Sequence, residues 1–251
     1  MDVYDGSDEY MNYVVIFAGG VGMRMGSSVP KQFLEVDHKP ILIHTIEKFS
    51  RHNSINGIVV VCKQEYIGFC EECLNKFKID KILHVVSGGE NGQDSIFKGL
   101  DYLIKNISDS KDDIVLIHDG VRPAITDLLI TKSIDCAKKN GNSIAVSKAI
   151  ETVIKIDGDG NIEETLNRAV CRNAKAPQCF NLSEIWKTHL KARRNGYNEM
   201  MVDSASLMSS YGYTLHTIEC GPENIKITTP NDFYMFKAIY EASKERGITL
   251  E

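Results

Sequence analysis

Along this chain, short unbroken apolar runs alternate with longer stretches whose apolar residues recur at helical spacing. Val14–Phe17, Ile58–Cys62, Lys81–Val86 and Ile114–His118 are β-branched runs of strand length. Ile41–Phe49, Gln93–Lys105 and Asp127–Lys139 carry the helical spacing, and Glu65–Phe77 reads as an amphipathic helix. Such alternation predicts an α/β fold, a mostly parallel sheet with helices on both faces, and ligands at the carboxyl ends of the strands. The rhythm breaks after Asn142. Ser143–Val146 reads as one more strand, Glu151–Ile156 alternates polar and apolar residues, and Asp157–Gly160 forms a turn into Asn161–Leu166. That is a β-hairpin signal. A lone hairpin is too small to be its own domain, so it is expected to protrude as an arm over about residues 147–172 and to need a partner surface. No repeat, low-complexity segment or linker divides residues 12–251, which read as one domain. Residues 1–11 read as a disordered tail.

Composition narrows the function classes. A hydrophobic share of 43% and a charged share of 25% are ordinary for a soluble globular protein. The net charge of −5, with no long Lys/Arg block, argues against nucleic-acid binding. Seven cysteines, an odd number with mostly apolar neighbours, fit free thiols in a reducing cytosol. Cys70 and Cys73 form a C-x-x-C pair on a predicted helix, with no second pair to complete a zinc site. No apolar run approaches a bilayer span, and the first residues lack signal-peptide character. A soluble cytoplasmic protein is expected, with no membrane partner.

Candidate chemistry clusters after the predicted strands. The first strand empties into a loop with four glycines in eight residues: Gly19, Gly20, Gly22 and Gly26. Glycines let backbone N–H groups converge on an anion, and Arg24 and Lys31 add two cations, as a polyphosphate site requires. The loop lacks the Gly-Lys-Ser/Thr of a Walker A. It also misses the dinucleotide fingerprint, because the third glycine would fall on Met25. Gly88–Ser95 is a glycine turn leading to a helix, where Asp94 and Ser95 fit either a helix cap or a nucleotide contact. Asp119 follows an apolar strand, well placed to hold Mg²⁺ on phosphates, or else to pair with Arg122 within a turn. His118 beside it is expected to serve the structure. Thr152 and Arg168 lie on the two limbs of the hairpin, where an Arg taken by itself reads as a solvated surface charge. Lys226, between Ile225 and Ile227 in a predicted short strand, faces away from both and is a candidate third phosphate cation.

These groups include no obvious nucleophile or general base. Nucleotidyl transfer to a phosphate monoester needs neither, since a second pKa of about 6 leaves the acceptor largely ionised at neutral pH. Its difficulty is charge build-up, which preplaced cations and a metal relieve.

In their order, the motifs resemble the sugar- and polyol-phosphate cytidylyltransferases. The resemblance runs from about Val14 to Phe233, through Ala18-Gly-Gly-x-Gly-x-Arg-Met-Gly, Pro30-Lys-Gln-Phe-Leu, His44-Thr, Asp94-Ser, His118-Asp-x-x-Arg-Pro, Asn167-Arg168, Pro177-Gln178-x-Phe180 and Asn224-Ile-Lys-Ile-Thr. It implies a Rossmann-like, nucleotide-diphospho-sugar-transferase-like fold, CTP as co-substrate with Mg²⁺, and release of pyrophosphate. It implies Arg24, Lys31 and Lys226 as catalytic cations, and CTP contacts from Ala18, Gly19, Gly20, Gly22, Gly89, Glu90 and Ser95. Asp119, Arg122, Thr152, Arg168 and Asp203 would face the acceptor, with Asp119 on the metal. The hairpins of a homodimer would embrace, carrying Thr152 and Arg168 into the partner's site. This chain departs from the family pattern at Ala176, at Val202 and at Gly92-Gln93. Ala18-Gly19-Gly20 and His118-Asp119-Gly120-Val121 look more like the ribitol-phosphate branch than the methylerythritol-phosphate branch, so a polyol phosphate is the expected acceptor. A nucleotide-binding module without turnover and an NAD-dependent oxidoreductase are the other classes weighed. Intact cations argue against the first, and the incomplete glycine fingerprint argues against the second.

Overall fold

The structure, a computed structural model, describes residues 10–19, 29–108, 110–196 and 201–246. Residues 1–9 of the expected tail lie outside that set, as do Gly20, Gly22 and Arg24. The chain runs β1 (Asn12–Ala18), β2 (Glu35–Val36), β3 (Lys39–Pro40), α1 (Ile41–Arg51), β4 (Gly57–Cys62), α2 (Ile67–Lys76), β5 (Ile82–Ser87), α3 (Gly92–Asn106) and β6 (Ile114–Asp119). It continues through α4 (Asp127–Asn140), β7 (Asn142–Lys148), β8 (Ile154–Ile156), β9 (Ile162–Thr165), β10 (Arg172–Asn181), α5 (Leu182–Asn195), α6 (Ser204–Ser210), β11 (Thr217–Glu219) and α7 (Pro230–Arg246).

Seven strands form one sheet in the order β11-β7-β10-β6-β1-β4-β5. All its pairs are parallel except the two made by β10. Every residue of β4 and β6 is buried, the near-continuous apolar character of a sheet covered on both faces. Alternation divides the core in two. Val14, Ile16, Ile58, Val60 and Leu116 pack with Leu42, Phe49 and Ile130 on one face. Val15, Val59, Val61, Val115 and Ile117 pack with Ile96, Leu100 and Leu182 on the other.

Register positions the site. Ala18 pairs with Cys62, Phe17 with Asp119, and Cys62 with Ser87, so β1, β4, β5 and β6 end along one edge. The loops beginning at Gly19, Gly88 and Gly120 therefore leave from neighbouring points.

Two strands escape the hydrophobic pattern. β10 carries Pro177, which cannot donate to a ladder, and its pairing with β7 shifts register between Ala174 and Gln178. Its first three residues are exposed, which removes the apolar signal there. β11 is three residues long and signals weakly. The short strand expected around Lys226 is absent. Ile227 donates its backbone N–H to the Val121 carbonyl (2.9 Å), but no ladder extends from it. The expected facing survives in the extended chain: Ile227 is buried and Lys226 exposed. The Cys70–Cys73 helix is α2, and all seven cysteines are free.

The hairpin forms as expected, with β8 antiparallel to β9 in a sheet of its own. Asp157 Oδ1 accepts the N–H groups of Asp159 (2.9 Å) and Asn161 (2.8 Å). Gly160, at φ 88°, supplies the left-handed residue of the turn. Every residue of both strands is exposed.

Close packing of α3 on the sheet sets a stability test. A Cβ on Gly99 would lie 2.6 Å from Val15 Cγ1 and 3.0 Å from Val61 Cγ2. Gly99→Ala is expected to destabilise the fold by about 1–3 kcal/mol through overpacking. Gly92→Ala, which meets nothing within 4 Å, should change little. Urea unfolding of both variants checks this; equal midpoints would show that α3 adjusts without cost.

Candidate active site

The first station is the junction of β1, β5 and α3. Asn91 caps α3 by accepting the N–H of Asp94 (2.9 Å), so the cap is neither Asp94 nor Ser95. Ser95 is thereby left to bind the loop: its Oγ accepts from the Gly89 N–H (3.0 Å) and donates to the Asn91 carbonyl (2.9 Å). A Cβ on Gly19 would come within 3.3 Å of the same oxygen. A Cβ on Gly89 would clash with Asp94 Oδ2, so a side chain there would displace Asp94. Lys98 donates to the Gly88 carbonyl (2.8 Å), and Arg193 pairs with Asp94. Burial opposes ionisation of Asp94, but Arg193 overcomes it and holds the carboxyl below its ordinary range. Gly89, Glu90, Lys98 and Arg193 line an open cavity of about 670 Å³.

Buried Gln32 ties the start of the glycine loop to the segment that follows it. Its Nε2 donates to the Ala18 carbonyl (2.9 Å), and Lys31 opens the short 3₁₀ turn that contains Gln32. Ala18, Gly19 and Lys31 are therefore held at the end of β1.

The second station centres on Asp119 at the end of β6. Arg122 Nε donates to its Oδ2 (2.7 Å), and Lys226 Nζ lies 2.6 Å from its Oδ1. Burial by itself would raise the Asp119 pKa; Lys226 and Arg122 reverse that and bring it below the ordinary carboxylate range. Arg122 Nη1 and Lys175 Nζ both donate to the Asn224 carbonyl (3.0 and 3.2 Å), and Asn224 Nδ2 donates to the Ala176 carbonyl (2.7 Å). Two cations thus pair with one carboxylate and Lys175 meets Arg122 at the Asn224 carbonyl, so the station is net positive.

A cavity of about 290 Å³ opens here, lined by Asp119, Arg122, Lys175 and Lys226 together with Gln178, Val202, Asp203 and Ser204. Asp203 caps α6. Its Oδ1 accepts from Ser206 N (2.8 Å) and Oγ (2.7 Å), and its Oδ2 accepts from Gln178 Nε2 (2.8 Å). Thr152 and Arg168 do not line this cavity. Both are exposed on the hairpin segment, where Arg168 Nη1 donates to the Ile150 carbonyl (2.8 Å).

Among the described residues there is no cluster of three or more His, Cys, Asp or Glu side chains that could hold a metal ion. Asp119 is an ionised lone carboxylate whose oxygens retain lone pairs beyond the two ion pairs. That suits Mg²⁺ carried on phosphates, which takes one or two carboxylates with phosphate oxygens and water.

Residues 12–242 match the family described as IspD: 2-C-methyl-D-erythritol 4-phosphate cytidylyltransferase. The chain belongs to the IspD family of cytidylyltransferases. A ribitol-5-phosphate cytidylyltransferase of Vibrio parahaemolyticus is 44% identical over 235 residues, covering 93% of this chain and 98% of the relative. A 2-C-methyl-D-erythritol 4-phosphate cytidylyltransferase of Clostridium novyi is 38% identical over 234 residues, covering 93% and 98%. The crystal structure of 4-diphosphocytidyl-2C-methyl-D-erythritol synthase from Anaerococcus prevotii superposes with a TM-score of 0.80 at 28% identity, covering 93% of this chain and 97% of that one. As a member of this family the protein is a nucleotidyltransferase that uses CTP.

Several residues at these two stations carried no expectation from the sequence. Asn224 and Gln178 lie within quoted motifs, yet their parts as a carbonyl hub and an Asp203 partner arise from contacts across the sheet. Lys98, Lys175, Arg193 and Ser204 lie outside those motifs, and only folding brings them to the two cavities.

His118 makes the stability of the fold sensitive to acid. Its ring Nε2 lies 3.1 Å from the Arg122 carbonyl, closing the turn that carries Asp119. Burial lowers its pKa from 6.5 to about 4, while an unfolded chain takes up that proton near 6.5. Below pH 6.5 the unfolded state therefore binds more protons, so stability falls as pH falls. The loss by about pH 4 is roughly 3 kcal/mol from this group. His189, lowered to about 3 by burial, acts in the same direction. Unfolding measured between pH 7 and 4 should show the decline, and His118→Gln should flatten it. An equally steep curve in the variant would assign the acid sensitivity elsewhere.

Proposed function

We propose that this enzyme transfers a cytidylyl group from CTP to ribitol 5-phosphate, giving the CDP-alditol and pyrophosphate. The observation that carries the reading is Asp119 held between Lys226 and Arg122 in a net-positive cavity at the sheet edge. The 44% identity to ribitol-5-phosphate cytidylyltransferases supports the choice of acceptor. An oxygen of the acceptor phosphate attacks the α-phosphorus of CTP, a new P–O bond forms, and the bond to the β-phosphate breaks. The acceptor arrives ionised, so no general base is needed. Arg24, Lys31 and Lys226 act as the cations that stabilise the charge building on the α-phosphate and pyrophosphate. Ala18, Gly19, Gly20, Gly22, Gly89, Glu90 and Ser95 hold CTP. Asp119 and Arg122 face the acceptor with Asp203, and Asp119 is the protein ligand for Mg²⁺, which neutralises triphosphate charge when bound.

Residues 12–251 work as one domain whose arm, about 147–172, pairs with a second copy and carries Thr152 and Arg168 into the partner's site. Ile150, Ile154, Ile156, Ile162 and Val170 of the arm are exposed, an apolar surface that a second chain would cover. A cytoplasmic location fits the seven free thiols, and no described helix is long and apolar enough to cross a membrane.

Pyrophosphate release from CTP with ribitol 5-phosphate and with methylerythritol 4-phosphate tests the reading. Turnover is expected to favour ribitol 5-phosphate; turnover confined to methylerythritol 4-phosphate would reverse the assignment. Lys226→Ala should lower kcat/KM by roughly 10²–10³, and unfolding of the variant measured alongside separates that loss from the cost of leaving the buried Asp119 one cation short. Chelation with EDTA should abolish turnover and added Mg²⁺ should restore it; activity persisting in EDTA would remove Asp119 from metal binding.

A further inference from the structure

We infer that Lys175 is a further substrate-binding residue, its ammonium set beside Arg122 to hold the phosphate of the acceptor. The inference rests on the reading above, that the acceptor occupies the Asp119 cavity.

A break in β10 brings Lys175 to that cavity. Side chains of a regular strand alternate between its two faces, yet Ala174, Lys175 and Ala176 all line the same cavity. The pairing of β10 with β7 shifts register between Ala174 and Gln178, and such irregularities re-aim side chains. The end of the side chain is fixed by its contact. Nζ donates to the Asn224 carbonyl (3.2 Å), the same oxygen that accepts Arg122 Nη1 (3.0 Å).

No carboxylate is paired with this ammonium among the described residues. Asp119 is taken by Arg122 and Lys226, and Glu219 by Lys148 and Arg172. Asp203 accepts from Ser206 and Gln178, and Glu223 attracts Lys175 without forming an ion pair. Burial lowers the Lys175 pKa below the ordinary lysine value, and the Arg122 charge adds to that. Two cations meeting at one neutral oxygen repel each other until an anion joins them, and a phosphate is an anion that both Arg and Lys bind well.

The neighbouring cavity that Lys175 also borders offers no such place, since Glu151 and Glu219 match Lys148 and Lys175 there. In the Asp119 cavity Arg122, Lys175 and Lys226 outnumber Asp119 and Asp203. Sheet order separates the roles of the cations. β10 lies on the side of β6 away from β1, whose end carries Ala18 and Gly19 of the proposed CTP site. Lys175 is therefore on the acceptor side.

Pyrophosphate-release kinetics on wild type, Lys175→Met and Lys175→Arg test the inference, with each of the two acceptors and with inorganic phosphate as a competitor, beside thermal unfolding of all three proteins. Lys175→Met leaves the Asn224 carbonyl its Arg122 donor, so the unfolding midpoint should not drop. In that variant the acceptor KM and the inhibition constant of phosphate are expected to rise roughly 10- to 100-fold, the scale of one hydrogen bond to a charged group. The kcat and the KM for CTP should stay within about twofold, as for a contact made equally before and during reaction. Lys175→Arg, which keeps the charge, should recover most of the loss. An acceptor KM unchanged in Lys175→Met, a CTP KM rising in step with it, or a loss that Lys175→Arg does not recover overturns the inference. So does inorganic phosphate that fails to compete with the acceptor, or competes equally well in Lys175→Met. Should the wild type prefer methylerythritol 4-phosphate, the proposed acceptor falls, and the same comparison on that phosphate still decides Lys175. A wild type that accepts neither overturns both.

Discussion

The buried carboxylate of Asp119 is the constraint around which the site is built. A carboxylate taken from water costs several kcal/mol unless cations offset it, and here Arg122 and Lys226 do so from opposite oxygens. Arg122 needs acceptors of its own, and one is the Asn224 carbonyl, shared with Lys175. The requirement thus spreads outward. One buried charge fixes the turn after β6, the segment before α7 and the irregular middle of β10. It leaves a surplus of positive charge facing a cavity.

Parallel register brings the rest of the machinery to the same edge. Because β1, β4, β5 and β6 end level with one another, Gly19, the Gly88–Asn91 turn and Asp119 become neighbours without any long connection. Ser95 binds the Gly88–Asn91 turn twice through one oxygen, which leaves small clearance at Gly19. Antiparallel β10 inserts beside β6 and delivers Lys175, Ala176 and Gln178 to the cavity. The hairpin obeys a different rule. It has no core of its own, and its apolar side chains face outward.

Much of this was legible as pattern. The strands β1, β4, β5 and β6 and the helices α1 to α4 come from periodicity, and their bounds shift by only a few residues. Asp119 and Lys226 were each singled out by their place after or between apolar residues, and Arg122 as a possible turn partner of Asp119 and through the family resemblance. β10 was not, because Pro177 and a half-exposed, polar start erase the alternation that marks a strand. The strand expected at Lys226 was a different kind of error. Alternation of exposure there reflects Ile227 packing beneath an extended segment, and periodicity does not distinguish that from a ladder.

The sequence by itself determined the α/β class, the hairpin, the phosphate-directed chemistry and the family, since each depends on local composition or on residues a few positions apart. Only the tertiary structure decided that Lys226 and Arg122 share one carboxylate and that Lys175 meets Arg122 at a single carbonyl. These depend on groups up to about a hundred residues apart, Arg122 and Asn224 among them, and on burial, which sets how strongly each charge demands a partner.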